Sequence, residues 1–216
     1  MMKFNPQMLQ VYLVIGTQNT NNDPQRLLKI VKEALAAGVT AVQYREKDGT
    51  TLTKAEKVAL GRQLHQITQA KQVPLFVDDD YELARTIGAE GIHVGQSDTR
   101  ADVIHQLAPD LMMGLSVHNL EELERSRSLL PVVDYLGVGP IFATASKIKV
   151  KDPIGMQGLD DVITQTSKPV VAIGGIHENN VTDFKTEKVT GVAVISAITK
   201  SSDIKNTVQI LKQRGK

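Results

Sequence analysis

The chain contains neither cysteine nor tryptophan. Without cysteine there is no disulfide framework and no zinc site built on thiolates, and the composition fits a reducing compartment. Aromatic residues are scarce, four Phe and four Tyr in 216 residues, so platforms for stacking nucleic-acid bases are few. No charge sign dominates either: 25 Lys and Arg against 24 Asp and Glu give +1, and no bulk field draws the chain to nucleic acid or an anionic membrane. Near the N-terminus the apolar stretch Val11 to Ile15 is too short for a signal-peptide core or a membrane span, so a cytoplasmic protein is expected. Missing as well are G-x-x-x-x-G-K, G-x-G-x-x-G, G-x-S-x-G and H-E-x-x-H, which removes the main support for P-loop hydrolysis, dinucleotide binding, serine hydrolysis and zinc proteolysis. What is present, 41% hydrophobic and 23% charged residues, is the balance of a folded globular chain.

Short apolar runs alternate with longer segments of helical period along the whole chain, the signature of repeated βα units. Strands are predicted at Val11 to Ile15, Val39 to Tyr44, Pro74 to Val77, Gly91 to Val94, Met112 to Ser116, Val132 to Val138, Val170 to Ile173 and Val192 to Ile195. Their nearly continuous apolar character suits parallel strands buried on both faces. Between them, Leu27, Val31 and Leu35, then Leu60, Leu64 and Ile67, and finally Ile204, Val208 and Leu211 each share one helix face. Gly38, Gly88 and Gly191 sit where a helix end calls for a left-handed residue before the next strand. Eight units in 216 residues leave about 27 each, which predicts an α/β fold, a single (β/α)8 TIM barrel over residues 1–216, with an open doubly wound sheet as the rival. The segment 139–157 has neither period and carries Lys147, Lys149 and Lys151; over the C-terminal face of a barrel it would be an active-site lid.

Polar residues gather where those strands end. Gln43, Arg45 and Lys47 are spaced by two and share a face, which in a barrel points into the mouth, where a guanidinium needs an anionic partner, substrate or an internal Asp. Asp78, Asp79 and Asp80 are adjacent carboxylates that repel one another unless a cation sits among them, although Asp80, or an Asp79–Glu82 capping box, would explain one of them as a helix cap. Asp98 supplies a carboxylate from the next strand end, or else caps the helix that follows. Gly174-Gly175 and the turn at Ile195-Ser196 lie where barrels cradle a phosphate on backbone N–H groups, though a tight turn alone also demands glycine. His65 and His105 fall in helical patterns and are expected at the surface, while His93, His118 and His177 are candidates to line a pocket. A mouth with Arg45, Lys47 and Lys147 as cations, Asp79 and Asp98 as metal holders and a separate phosphate cradle can hold two anionic groups. Displacement of a diphosphate by a second, phosphate-anchored molecule is the chemistry this suits, with an isomerase or aldolase acting on one sugar phosphate as the alternative.

The motifs QYREK (Gln43 to Lys47), DDDYELA (Asp78 to Ala84), GIHVGQSD (Gly91 to Asp98), DYLGVGPIFATASK (Asp134 to Lys147), AIGGI (Ala172 to Ile176) and VISAI (Val194 to Ile198), in this order, resemble the thiamine-phosphate synthase family over nearly the whole chain. The resemblance implies a barrel transferase that uses Mg²⁺ to join 4-amino-2-methyl-5-(diphosphooxymethyl)pyrimidine to a thiazole phosphate, two phosphorylated small molecules, with release of pyrophosphate. It implies a pyrimidine diphosphate site of Gln43, Tyr44, Arg45, Glu46, Lys47, Asp78, Ser116 and Lys147, with Arg45, Lys47 and Lys147 catalytic. Asp79 and Asp98 match the Mg²⁺ ligands, and Thr144, Ala145, Ser146, Gly175, Ile195 and Ser196 match the thiazole phosphate site. The implied chemistry is dissociative and needs no general base at the thiazole nitrogen. Asp78 stands where the family more commonly has Asn, which requires that carboxylate to be protonated or paired, or substrate binding to be weaker. Ser146 stands where Thr is usual and keeps the hydroxyl. A thiazole tautomerase relative would not need both metal carboxylates and Lys147, and a non-catalytic binding protein would need a large exposed patch. Neither nucleic acid nor membrane is an expected partner; a homo-oligomer is left open. Lys147→Ala is expected to abolish thiamine phosphate formation with an unchanged circular dichroism spectrum, and normal turnover by that variant would remove its leaving-group role.

Overall fold

The computed structural model describes residues 2–47, 49–144, 146, 151–184 and 189–213. Eight strands, β1 (Val11–Ile15), β2 (Ala41–Tyr44), β3 (Leu75–Asp78), β4 (Gly91–Val94), β5 (Met112–Val117), β6 (Tyr135–Val138), β7 (Val170–Ile173) and β8 (Val189–Val194), pair in parallel in chain order and close into a barrel through β1 and β8. This is the TIM-barrel architecture. The helices are α1 (Pro24–Ala37), α2 (Lys54–Gln69), α3 (Tyr81–Ile87), α4 (Ala101–Leu107), α5 (Leu120–Arg125), α6 (Gly155–Thr164), α7 (Ser196–Thr199) and α8 (Ile204–Leu211). Local chemistry sets their ends. Asp23 accepts from the N–H groups of Gln25 and Arg26 to start α1, and Thr53 and Glu56 form a reciprocal capping box on α2. Gly38 and Gly88 close α1 and α3 in the left-handed region, as their positions predict.

Three local readings need correction. Gly191 lies inside β8 rather than between a helix and a strand. Its reason is space: a Cβ there would stand 1.5 Å from the Leu9 carbonyl oxygen of the segment that crosses under the barrel. The apolar run before β6 does not extend back to Val132, because Arg127–Val132 winds as a 3₁₀ helix with Pro131 inside it. Among the described residues β7 is followed only by a 3₁₀ turn, Val181–Asp183, in place of a full helix.

Strand alternation divides the buried side chains into two layers. Val11, Leu13, Ile15, Val42, Tyr44 and Val77 face outward and pack with α1, α2 and the other helices. Tyr12, Val14, Ala41, Phe76, Met112, Tyr135, Val171 and Ala193 face the barrel axis. The lower end is plugged from the N-terminus, where Phe4 stacks on Tyr135 with ring centroids 6.0 Å apart and Leu9 is fully buried. Space for the inner rings comes from glycine on neighbouring strands: a Cβ at Gly114 would stand 2.4 Å from both the His93 ring and the Tyr135 ring. The same alternation carries Gln43 and Arg45, Asp78, His93 and Ser116 to the inner face above those rings.

Gly191→Ala is expected to destabilise the barrel by about 2 kcal/mol or more, because the obstructing atom is backbone and cannot swing away. Urea denaturation would read this as a lower midpoint at unchanged slope.

Candidate active site

β3 ends at Asp78, and the chain turns through Asp79 with φ 60°, a left-handed conformation that Asp tolerates better than most residues. The turn is held by the Asp79 N–H donating to the His93 carbonyl at 2.9 Å and the Asp80 N–H donating to the Asp78 carbonyl at 2.8 Å. The three adjacent aspartates then divide their tasks. Asp80 accepts from the Leu83 N–H at 2.8 Å and caps α3, which therefore starts one residue later than an Asp79–Glu82 capping box requires. Asp78 Oδ2 lies 3.2 Å from Arg45 Nε and 3.5 Å from Lys47 Nζ. Lys47 is also ion-paired with Asp79 and stands 3.8 Å from Asp98 Oδ1. Asp98 is not a helix cap: its Oδ2 accepts from the Gly95 N–H at 2.7 Å, tightening the turn after β4, while Arg100 occupies the cap of α4.

Among the described residues, three carboxylates face two cations, Arg45 and Lys47, at the ends of β2, β3 and β4. The side chains of Arg45 and Asp78 are only 8% and 10% exposed, so charge there is poorly solvated and depends on close pairing. Among the described residues no group of three or more acidic or histidine side chains is arranged around one metal position. Asp79 and Asp98, converging on the Lys47 ammonium from two loops, make the kind of two-carboxylate donor set that a hard divalent ion accepts when water and phosphate oxygens complete it.

Beside this cluster lies a cavity of about 260 Å³ lined by Ser116, His118, Glu122, Thr144, Ser146, Lys151, Gly174 to Ile176, Ile195 and Ser196. It brings together Ser116 with the described members of the expected thiazole phosphate set; Ala145 and Lys147 lie outside the described residues, as does Lys149. Gly174 and Gly175 are left-handed at φ 102° and 66°, and a Cβ on Gly175 would stand 2.6 Å from the Ala143 carbonyl. Glycine is thus required by the packing of the 139–157 segment whether or not a phosphate binds there. That segment is tied at its base by the Ile141 N–H to the Ile173 carbonyl at 3.0 Å and the Phe142 N–H to the Gly174 carbonyl at 3.0 Å. Its far end returns through the Ile154 N–H to the Pro140 carbonyl at 2.9 Å, just before α6.

The family model for thiamine monophosphate synthase matches residues 11–198. The chain belongs to the thiamine monophosphate synthase family. It is 43% identical over 209 residues to thiamine-phosphate synthase of Limosilactobacillus fermentum, covering 96% of this chain and 97% of that one. Its identity to the synthase of Limosilactobacillus reuteri is 42%, covering 98% of each. The solved thiamine phosphate pyrophosphorylase of Pyrococcus furiosus superposes with a TM-score of 0.83 at 31% identity, covering 97% of this chain and 96% of that chain. A 3-hexulose-6-phosphate synthase, at 16% identity and a TM-score of 0.66, shares the fold alone.

In this synthase-family chain two side chains of the expected pyrimidine set face away from the mouth. Tyr44 packs outward against α2, its hydroxyl donating to the Lys57 carbonyl at 3.3 Å, and burial pushes its phenol well above the ordinary range. Glu46 clamps the β1–α1 connection, accepting from the Thr17 N–H at 2.8 Å and the Thr17 hydroxyl at 2.7 Å. His65, expected at the surface, is half-buried, with Nε2 3.0 Å from Glu90 Oε1. Sequence reasoning missed Glu122 and placed Lys151 only as one of the lysines of the long segment; the two are ion-paired across the cavity. The Asn119-x-x-Glu122 spacing reads as a cap for α5, and Asn119 does accept from the Glu122 N–H at 3.0 Å. The Glu122 carboxylate instead reaches the His118 N–H at 2.9 Å and the lysine of the long loop.

Burial alone would raise the Glu122 carboxyl, but the Lys151 ammonium and the His118 N–H outweigh it and hold it below the ordinary carboxylate range. Its folded value being the lower one, its contribution to stability is complete above about pH 5 and is lost as pH falls through the folded value. Between pH 5 and pH 3 the urea midpoint of the wild type should therefore fall more steeply than that of Glu122→Gln. Parallel curves would remove the assignment.

Proposed function

We propose that the chain forms thiamine phosphate by joining the pyrimidinylmethyl group of hydroxymethylpyrimidine diphosphate to the nitrogen of a thiazole phosphate, with loss of pyrophosphate. The observation that carries the reading is the meeting of Arg45 and Lys47 with Asp78, Asp79 and Asp98 at adjoining strand ends, beside a cavity edged by the Gly174-Gly175 turn. Arg45 and Lys47 neutralise the departing diphosphate, with Lys147 assigned the same role from its motif. Mg²⁺ held by Asp79 and Asp98 would supply Lewis-acid stabilisation of that leaving group. Lys47, which stands between those carboxylates in this structure, is long enough to turn from them to the diphosphate. Asp78 keeps Arg45 paired and aimed, so the Asp at this position is compensated rather than left as a lone charge against the substrate.

Loss of diphosphate leaves a pyrimidinylmethyl cation, which the thiazole nitrogen captures through its own lone pair; no proton has to be removed from the nucleophile. Gln43 and Ser116 hold the pyrimidine. Thr144, Ser146, Gly175, Ile195 and Ser196, with Ala145, hold the thiazole phosphate, supported by the preference of such barrels for phosphate after their seventh and eighth strands. The chain acts as one barrel domain, with 139–157 as the lid over the mouth. Its place of action is the cytoplasm, in keeping with the absence of cysteine; no helix among the described residues is long and apolar enough to cross a membrane.

Incubation with both substrates and Mg²⁺ is expected to yield thiamine phosphate and pyrophosphate in equal amounts, and absence of both products would end the reading. Lys47→Ala should lower kcat/KM by about a hundredfold or more. In Asp79→Asn the Mg²⁺ concentration for half-maximal rate should rise about tenfold or more.

A further inference from the structure

Beneath the mouth, five inward-facing side chains from five strands form one hydrogen-bonded line across the barrel. Gln43 Nε2 donates to the Tyr12 hydroxyl at 3.0 Å. The Tyr12 and Tyr135 hydroxyls are 3.0 Å apart. The Tyr135 hydroxyl is 3.1 Å from His93 Nδ1, and His93 Nε2 is 2.8 Å from Ser116 Oγ. Tyr12 and Tyr135 are almost fully buried, Gln43 and His93 nearly so, and only Ser116 reaches the cavity wall.

The direction of this line follows from its first member. An amide NH₂ can only donate, so Tyr12 accepts from Gln43 and must place its own proton elsewhere. Its other hydrogen-bond partner is Tyr135, whose hydroxyl in turn donates to His93 Nδ1. Burial raises both phenols well above their ordinary range, so each keeps a proton to give. With Nδ1 accepting, a neutral imidazole carries its hydrogen at Nε2 and donates to Ser116 Oγ. Ser116 then has its own proton free for the cavity, and Gln43 has its carbonyl oxygen free. Reversing the line would require Gln43 to turn its amide by half a revolution.

We infer that Tyr12, Tyr135 and His93 are positioning residues whose buried relay fixes His93 as the neutral Nε2–H form, so that Ser116 presents a donor and Gln43 an acceptor to the pyrimidine. An aminopyrimidine edge offers the complement, an amino group that donates and ring nitrogens that accept, whereas a hydroxypyrimidine in its keto form presents a carbonyl acceptor to Gln43 and is repelled. This rests on the reading that Gln43 and Ser116 hold the pyrimidine, but the relay itself belongs to the protein without substrate.

The test begins with ¹⁵N NMR of the ligand-free wild type at neutral pH, the His93 signals being assigned by their loss in His93→Gln. A neutral ring protonated at Nε2 is expected; a ring protonated at Nδ1, or an imidazolium, overturns the relay whatever the enzyme turns over. Tyr135→Phe, which keeps the ring, should mix the two tautomers. It should also lower kcat/KM for the pyrimidine diphosphate about tenfold while leaving KM for the thiazole phosphate unchanged. Combined with Ser116→Ala, Tyr135→Phe should cost nothing further, because the relay acts through Ser116. Independent, multiplying losses would reduce Tyr135 to a packing role. A wild type that makes no thiamine phosphate would count against the function while its tautomer still decides the relay.

Discussion

A closed parallel barrel has no wetted strand face. Every side chain that alternation sends inward must be apolar, be given room by a small neighbour, or find a polar partner among the other inward residues. In this chain the requirement is met in tiers. At the base, Phe76, Met112 and Tyr135 fill the axis above the plug of Phe4 and Leu9. One tier up, the tyrosine hydroxyls, Gln43, His93 and Ser116 satisfy one another. At the rim, Arg45 and Lys47 are balanced against aspartates from two neighbouring strand ends. The chemistry sits at the rim because there the partners need not all be protein.

That tiering explains what could be read from the amino-acid order. The strands at Val11–Ile15, Gly91–Val94 and Val170–Ile173 coincide with their apolar runs because burial on both faces leaves little choice of residue. The two-residue spacing of Gln43, Arg45 and Lys47 put them on the mouth side for the same reason. Tyr44 shows the limit: a motif match includes every residue of the motif, whereas alternation sends this one to the helical layer.

Other features were hidden because they depend on contacts distant in sequence. Gly191 looks like a helix terminator until Leu9 is seen passing against it, 182 residues earlier in the chain. Three adjacent aspartates read as one cluster, but the left-handed turn at Asp79 divides them: Asp80 caps α3, Asp78 takes Arg45, and Asp78 and Asp79 share Lys47. The pairing of Glu122 with Lys151 has no local signal, since the glutamate sits where a helix cap would explain it. His93 was legible as a pocket-lining histidine; its joint role with Tyr135 needed the distances.

The seam of the barrel has a consequence in time. Residues 11–13 pair with 192–194, so the first strand waits for the last before the ring can shut. During synthesis, a nascent chain that has released only β1 to β7 carries two unpaired sheet edges and an uncovered lower end, the state most exposed to association with other chains. The apolar plug ahead of β1 leaves the ribosome before any of the strands, yet it gains its contact with Gly191 only when the 182 residues that follow Leu9 have been made.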